Sequence, residues 1–308
     1  MSDYSELTRL ARIDCEIDDE QVGSVVINSN RLLSSRGVEG MELRVQKKIR
    51  GIQIDLRVKR GVTIKKPVHL CLGVLHPSFI QRVRMRIVIE AGAAVKIIGH
   101  CIFPNPDGRV EHWMDARVDV GEGAQYTYLE EHVHNATGTT AVYPRARIVL
   151  APFAKFTTGF MLLDGRAGTV ELDYAITGAA NSSADMLAKI SASGQDRVRI
   201  VETALLTGEG ATGVLRSKVA ARDNAAIEVR NSLKAVAAHC RGHVDCTEIL
   251  HGNGVVRAFP NIEVSHPKAE VTHEARLGGV DNKQLETLMA RGLTESQAEE
   301  MIIAGLLA

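Results

Sequence analysis

From Gly51 onward, apolar and polar residues alternate with a period of two. Ile52, Ile54, Leu56 and Val58 alternate with Gln53, Asp55, Arg57 and Lys59, and Val83, Met85, Ile87 and Ile89 alternate with Arg82, Arg84, Arg86 and Val88. Successive side chains of a strand point to opposite faces, so these stretches are predicted strands with one buried face. Further strand segments fall at 169–176, 196–206, 213–219, 226–233 and 244–250, with no amphipathic helix between them. A repeat runs through the first part. I-V-I-E-A-G-A-A-V-K-I begins at Ile87, R-V-D-V-G-E-G-A-Q-Y-T at Arg117 and R-I-V-L-A-P-F-A-K-F-T at Arg147, which sets Ala94, Ala124 and Ala154 at equal intervals of 30 residues. Fixed-period strand–turn units without helices predict a solenoid, in which each coil buries its apolar face against its neighbours. An ordinary β-sandwich is the competing architecture.

The two ends break the pattern. Residues 5–12 have helical spacing in Leu7, Leu10 and Ala11, and 25–27 and 41–45 look like short strands around the turn at Gly37 and Gly40. At the other end Asp281 caps a helix carrying Leu285, Leu288 and Met289, and Arg291-Gly292 supplies a basic last turn and a left-handed stop. Thr294 with Gln297 forms a capping box for a second helix bearing Ala298, Met301, Ile302, Gly305 and Leu306. Two such helices cannot build a core of their own, so they either cap the last coil or receive a partner. The predicted division is a mixed N-terminal segment over 1–50, a β-helix core over 51–275 and a helical segment over 276–308.

Composition narrows the function. With 308 residues and 45% apolar content a sizeable core is available, and Lys+Arg and Asp+Glu both total 37, so no field of either sign draws nucleic acid or an anionic membrane. The N-terminus M-S-D-Y-S-E-L-T-R-L-A-R lacks the apolar stretch of a signal peptide, and no run approaches bilayer length; the expected location is cytoplasmic. Five cysteines, an odd number spread thinly, argue against disulfides and leave thiol chemistry, metal binding or plain burial. No G-x-x-x-x-G-K-[ST] occurs, so the chain is not itself an ATPase.

Candidate chemistry gathers on few residues. Cys246 lies in a strand with Val244 and Glu248 on its own face, although a lone strand cysteine also serves as a small buried apolar side chain. His273 and Glu274 are adjacent in E-V-T-H-E-A, and a strand sends them to opposite faces, so Cys246 meets one of them unless a bulge or subunit boundary intervenes. Cys101, in I-I-G-H-C-I-F-P, is a second sulfur candidate or a buried structural cysteine. His132 and His134 share a face in E-E-H-V-H and are a candidate metal pair. With acidic neighbours they would suit a β-helix enzyme, either a carbohydrate-active lyase or a metal-dependent hydrolase. His239, Cys240, His243 and Cys246 look like a zinc set by spacing alone, but alternation sends the histidines one way and the cysteines the other, and C-x-x-C is absent.

The stretch from Gly242 onward, with G-H-V-D-C-T-E-I-L, then H-E-A, then two capped helices, closely resembles the C-terminal signature of the SufB/SufD family of iron–sulfur cluster assembly scaffolds. Residues 88–130 resemble it more loosely. The resemblance implies a right-handed parallel β-helix and a scaffold for de novo cluster assembly that is not an enzyme in its own right. It implies that Cys246, Glu274 and His273 hold a nascent iron–sulfur cluster, and that Cys101 receives sulfur and passes it through the β-helix interior. Glu130 and His132 fall where longer members carry polar and aromatic tunnel residues. The implied partner is a SufC-like ABC ATPase docking on the C-terminal helices. Without the cysteine-rich N-terminal extension of many SufB proteins, the chain reads as a compact, minimal member. Because it carries both the SufB-type cysteine and the SufD-type histidine, a homodimer is expected.

Overall fold

Each alternating segment becomes a strand, and from Phe79–Ile89 to Arg241–Leu250 each is hydrogen-bonded in parallel to the equivalent strand one coil before and one coil after, while Gly51–Val58 is parallel only to the strand one coil after it. In a computed structural model, residues 2–105 and 107–307 are described, with the side chains of Asn282 and Ser296 left aside. Two ten-stranded sheets face each other across one apolar interior, and from Gly51–Val58 to Val255–Ala258 successive strands of the chain alternate between them. The result is a β-solenoid of about eight coils. Strands of a parallel sheet usually read as continuous apolar runs because helices cover both faces. Here no helix covers most of the outer faces, so alternation persists, as in Phe79–Ile89, where Val83, Met85, Ile87 and Ile89 are buried and the arginines between them exposed.

The corners explain the repeat. Ala93, Ala124, Ala154, Ser182, Ala211 and Cys240 stack in register and are all buried. Before each stands a residue with positive φ, namely Gly92, Gly123, Phe153, Asn181, Gly210 and His239. An added Cβ at Gly123 would meet open space, so its left-handed backbone, and not crowding, selects glycine. The equal spacing predicted from Ala94, Ala124 and Ala154 is corrected by one residue, since Ala94 pairs with Gln125 and the stacked residue is Ala93. Coil length therefore varies. Ladder hydrogen bonds fix the register of the strands, and the turns between them absorb the difference.

The first coil is closed by the N-terminal segment. Strand Ser24–Asn28 pairs in parallel with Val68–Gly73, Arg31–Arg36 pairs antiparallel to it, and Met41–Lys48 pairs antiparallel to Gly51–Val58. Helix α1 (Asp3–Leu10) lays Leu7 over Val26 and Cys71 with help from Ile13 and Ile17.

At the other end, helices α2 (Asn282–Met289) and α3 (Glu295–Leu307) carry the predicted caps. Asp281 accepts from the Lys283 and Gln284 amides, Thr294 and Gln297 form a reciprocal pair, and Gly292 has φ 96°. The buried stripe of α3 differs from the predicted one. Ile303 and Leu307 pack on Ala220 and Ile249 of the solenoid, while Ala298 and Ile302 pack against Leu285 of α2. Met301 and Leu306 are exposed. Apolar residues occur nearly all round this helix, so periodicity alone could not choose its face. Strands Val255–Ala258, Asn261–Val264 and Glu270–Gly279 form the last coil at the edge of both sheets, with Leu277, Val264 and Phe259 exposed.

Candidate functional site

Strand Arg241–Leu250 turns Val244, Cys246 and Glu248 inward one coil before the open end. Its register partner in the preceding coil is Ser217, and Asn231 reaches across the interior to donate from Nδ2 to Ser217 Oγ at 3.2 Å and to Cys246 Sγ at 3.6 Å. Burial raises the Cys246 thiol, contact with Ser217 and Asn231 opposes this, and the nearby Glu248 and Asp245 carboxylates raise it further; the balance lies above the ordinary thiol value. A thiolate there needs a cation to hold it. The Glu248 carboxyl is likewise raised, by burial and then by Asp245.

Strand Glu270–Gly279 is the outer neighbour. His273 pairs with Val244, Glu274 with Asp245 and Ala275 with Cys246. His273 thus belongs to the face of Cys246, and Glu274 to the opposite one, where it pairs with Arg276 at 2.7 Å and its carboxyl is lowered by that contact. Within one chain the fold brings Cys246 and His273 to one face and leaves Glu274 on the other. Both His273 and Glu274 are exposed, for no further coil covers them.

Cys101 is fully buried in the interior, on strand Ala94–Phe103 of the same sheet as Cys246 but several coils earlier. Its sulfur lies 3.9 Å from His112 Nε2 and 3.9 Å from Glu130 Oε1. Glu130 Oε1 is 2.7 Å from His132 Nε2, and Glu130 Oε2 accepts the Tyr174 hydroxyl at 2.7 Å. Burial alone would raise the Glu130 carboxyl, but the His132 and Tyr174 contacts bring it below its ordinary value. Burial lowers His112 to about 3 and lowers His134 well below the imidazole range, so both rings are neutral. Burial and then Glu130 push the Cys101 thiol well up.

A polar column joins the two cysteines. On one sheet Tyr174, Glu202 and Asn231 are successive register partners, and all three are buried. Tyr174 touches Glu130 near Cys101, and Asn231 touches Cys246. On the facing sheet the line from Glu130 runs through Phe160, Ala188 and Ser217 to Cys246. At about 4.8 Å per coil these four steps span roughly 19 Å. Glu202 is raised to about 8 by burial, and one of its oxygens is without a hydrogen-bond partner.

Two other readings find their places. His239 is the left-handed corner residue and Cys240 the small buried residue after it, with Sγ 3.2 Å from the Gly208 carbonyl, while His243 faces outward to Thr272. The four residues do not converge on a zinc ion. His132 and His134 do share a face, but that face is the sealed interior, which a polysaccharide cannot enter. Gln81, His112, Tyr174, Glu202, Ser217 and Asn231 escaped the sequence reading. Each is a polar residue at an inward position of an alternating strand, as Glu202 is between Ile200 and Ala204, and that parity is the signal that marks them.

Comparison with known proteins agrees with this geometry. Residues 76–306 match the family model described as the SUF system FeS cluster assembly SufBD core domain. An iron–sulfur cluster assembly SufBD family protein of Methanocaldococcus jannaschii is 32% identical over 283 residues, 92% of this chain and 89% of the relative. One of Pyrococcus horikoshii is 31% identical over 302 residues, 98% of this chain and 92% of the relative. A more distant relative in Staphylococcus saprophyticus is 22% identical over 263 residues, 81% of this chain and 54% of its own length. With the solenoid, the capped C-terminal helices and the inward cysteine in place, these matches establish that the chain belongs to the SufBD family of iron–sulfur cluster assembly proteins.

Proposed function

We propose that the chain is a homodimeric scaffold on which an iron–sulfur cluster is built at the boundary between two copies, with Cys246, His273 and Glu274 as its ligands. The observation that carries this reading is the placement of Cys246 and His273 on one face of adjacent strands, at an uncovered end of the solenoid. An open sheet edge with exposed Leu277, Val264 and Phe259 is a template for pairing with another chain. A second copy is the natural occupant, because an isologous contact matches the same edge to itself. Pairing would bury those side chains and let Glu274 of the partner subunit approach a site that it cannot reach within its own chain.

Anaerobic reconstitution with ferrous iron and sulfide tests the reading, followed by Mössbauer spectroscopy and light scattering. A dimer carrying one cluster per pair of chains is expected. A monomer, or a dimer that holds no cluster, overturns it.

The C-terminal helices supply the docking surface for a SufC-like ABC ATPase in this proposal. Met301 and Leu306 project from α3 without covering the solenoid, at 54% and 45% exposure. Replacing both by glutamate should abolish ATPase capture and leave the circular dichroism spectrum unchanged, because neither side chain lies in the helix-to-solenoid seam. Undiminished capture would move the interface elsewhere.

A further inference from the structure

We propose that the buried cluster of Cys101, His112, Glu130 and His132 binds a single divalent transition-metal ion of borderline softness, the class of Fe2+ and Zn2+, at a site separate from Cys246. The inference stands on the direction of the hydrogen bonds around the cluster and does not depend on the cluster-assembly reading.

Two relays run inward. Gln81 Nε2 donates to the carbonyls of Ser29 at 2.7 Å and Gly73 at 3.0 Å, which fixes the amide and turns Oε1 toward His112 Nδ1 at 2.7 Å. Nδ1 must therefore carry the hydrogen, and Nε2 presents a lone pair to Cys101. On the other side, the Arg166 carbonyl accepts from His134 Nδ1 at 3.1 Å, so His134 Nε2 is left to accept from His132 Nδ1 at 3.1 Å. His132 Nε2 then meets Glu130 Oε1 at 2.7 Å, a contact that either a hydrogen on Nε2 or a metal ion must bridge, since the carboxylate oxygen is itself an acceptor. Tyr174 occupies the other carboxylate oxygen and leaves Oε1 free to point inward.

Acceptors turned toward one another in a dry interior need a cation between them, a proton or a metal ion, and the convergence of four ligand side chains here favours the metal. The ligand atoms of Cys101, Glu130 and His132 all lie within 4.8 Å of one another. Two imidazoles, a thiolate and a carboxylate suit zinc and ferrous iron, and hydrogen bonds that fix the tautomer of each ligating histidine are the usual outer partners of such sites. The charges also balance, since a divalent ion with one thiolate and one carboxylate is neutral. Metal–ligand bonds of roughly 2.0–2.3 Å set tetrahedral ligand atoms about 3.3–3.7 Å apart. The two 3.9 Å contacts of Cys101 need little change, the short Glu130–His132 contact must open by about half an ångström, and His112 Nε2, which touches this group at Cys101 Sγ, must move inward toward Glu130 and His132.

The test uses the full chain carrying Cys246→Ser, which disables the proposed assembly site so that the two ideas fail separately. Grown in cobalt-supplemented minimal medium, this protein should retain about one Co2+ per chain after chelation, since a sealed site is loaded during folding. It should show a thiolate-to-cobalt charge-transfer band and four-coordinate visible bands. Adding Cys101→Ser should abolish the charge-transfer band, and Gln81→Leu should weaken retention by roughly 10- to 100-fold. Should the Cys101→Ser chain fail to fold, X-ray absorption at cobalt decides the matter. One sulfur with two imidazoles supports the site, and any other donor set overturns it. A chain that folds without cobalt, carries a persulfide on Cys101 instead, or keeps its charge-transfer band after Cys101→Ser also overturns it. In that case a proton alone bridges Glu130 and His132.

Discussion

Cys246→Ser is expected to reduce cluster-bound iron and sulfide to background after anaerobic reconstitution, while the chain stays folded and dimeric. Serine keeps the size of the side chain and can still accept from Asn231, so the packing at this fully buried position is nearly unchanged. The hydroxyl, however, neither ionises near neutral pH nor matches the softness of iron bound to sulfide. Glu274→Ala should lower cluster content by roughly tenfold, in the range seen for loss of one supporting group at a metal site. Glu274 is exposed and, among the described residues, its ion pair is with the exposed Arg276, so its loss should leave thermal stability unchanged. A lowered cluster yield at unchanged melting temperature therefore reports on the site and not on the fold. Normal assembly by the Cys246→Ser protein would refute the assignment.

Glu202→Gln is expected to stabilise the protein by roughly 3 kcal/mol at pH 7. Burial raises the folded-state carboxyl to about 8 from an ordinary value of 4.5. An acid raised in the folded state remains protonated there while the unfolded chain ionises, so stability falls as pH climbs through 4.5 and levels off only above about 8. Near pH 4 both forms are protonated and the substitution should matter little. The neighbourhood suits an amide. Glu202 Oε2 and Asn231 Oδ1 are both buried without a partner, on side chains that are register partners, and a glutamine nitrogen can donate there at any pH, whereas the carboxyl can donate only while it stays protonated. Thermal melts from pH 4 to pH 8 should show a slope for the parent chain and a flatter line for the variant. Equal slopes would mean that the carboxyl is solvated and that the interior column is wet.

The distribution of these groups separates what the chain states locally from what folding creates. Alternation in 52–58 and 83–89 determined that the strands have one buried face, because side-chain direction in a strand is a property of the strand itself. The caps at Asp281 and Thr294 were legible for the same reason, since each joins atoms two or three residues apart. The opposition of His273 and Glu274 also followed from alternation alone. Register was not legible to the residue. Ala93 and not Ala94 joins the corner column, because pairing between coils depends on turns whose lengths vary and on ladder bonds between residues far apart in the chain.

Nor could the sequence single out the buried stripe of α3, since Ile303 and Leu307 are chosen over Met301 and Leu306 by the solenoid wall against which the helix lies. The interior chemistry is the clearest case. Gln81, Cys101, His112, Glu130 and Tyr174 come from five strands, and nothing in their spacing joins them. They meet because parallel coils stack inward positions about 4.8 Å apart and two sheets face each other across one interior. The sequence by itself determined which residue types point inward. Only the tertiary structure decided which of those inward residues touch, because contact across a solenoid is set by the stacking of whole coils.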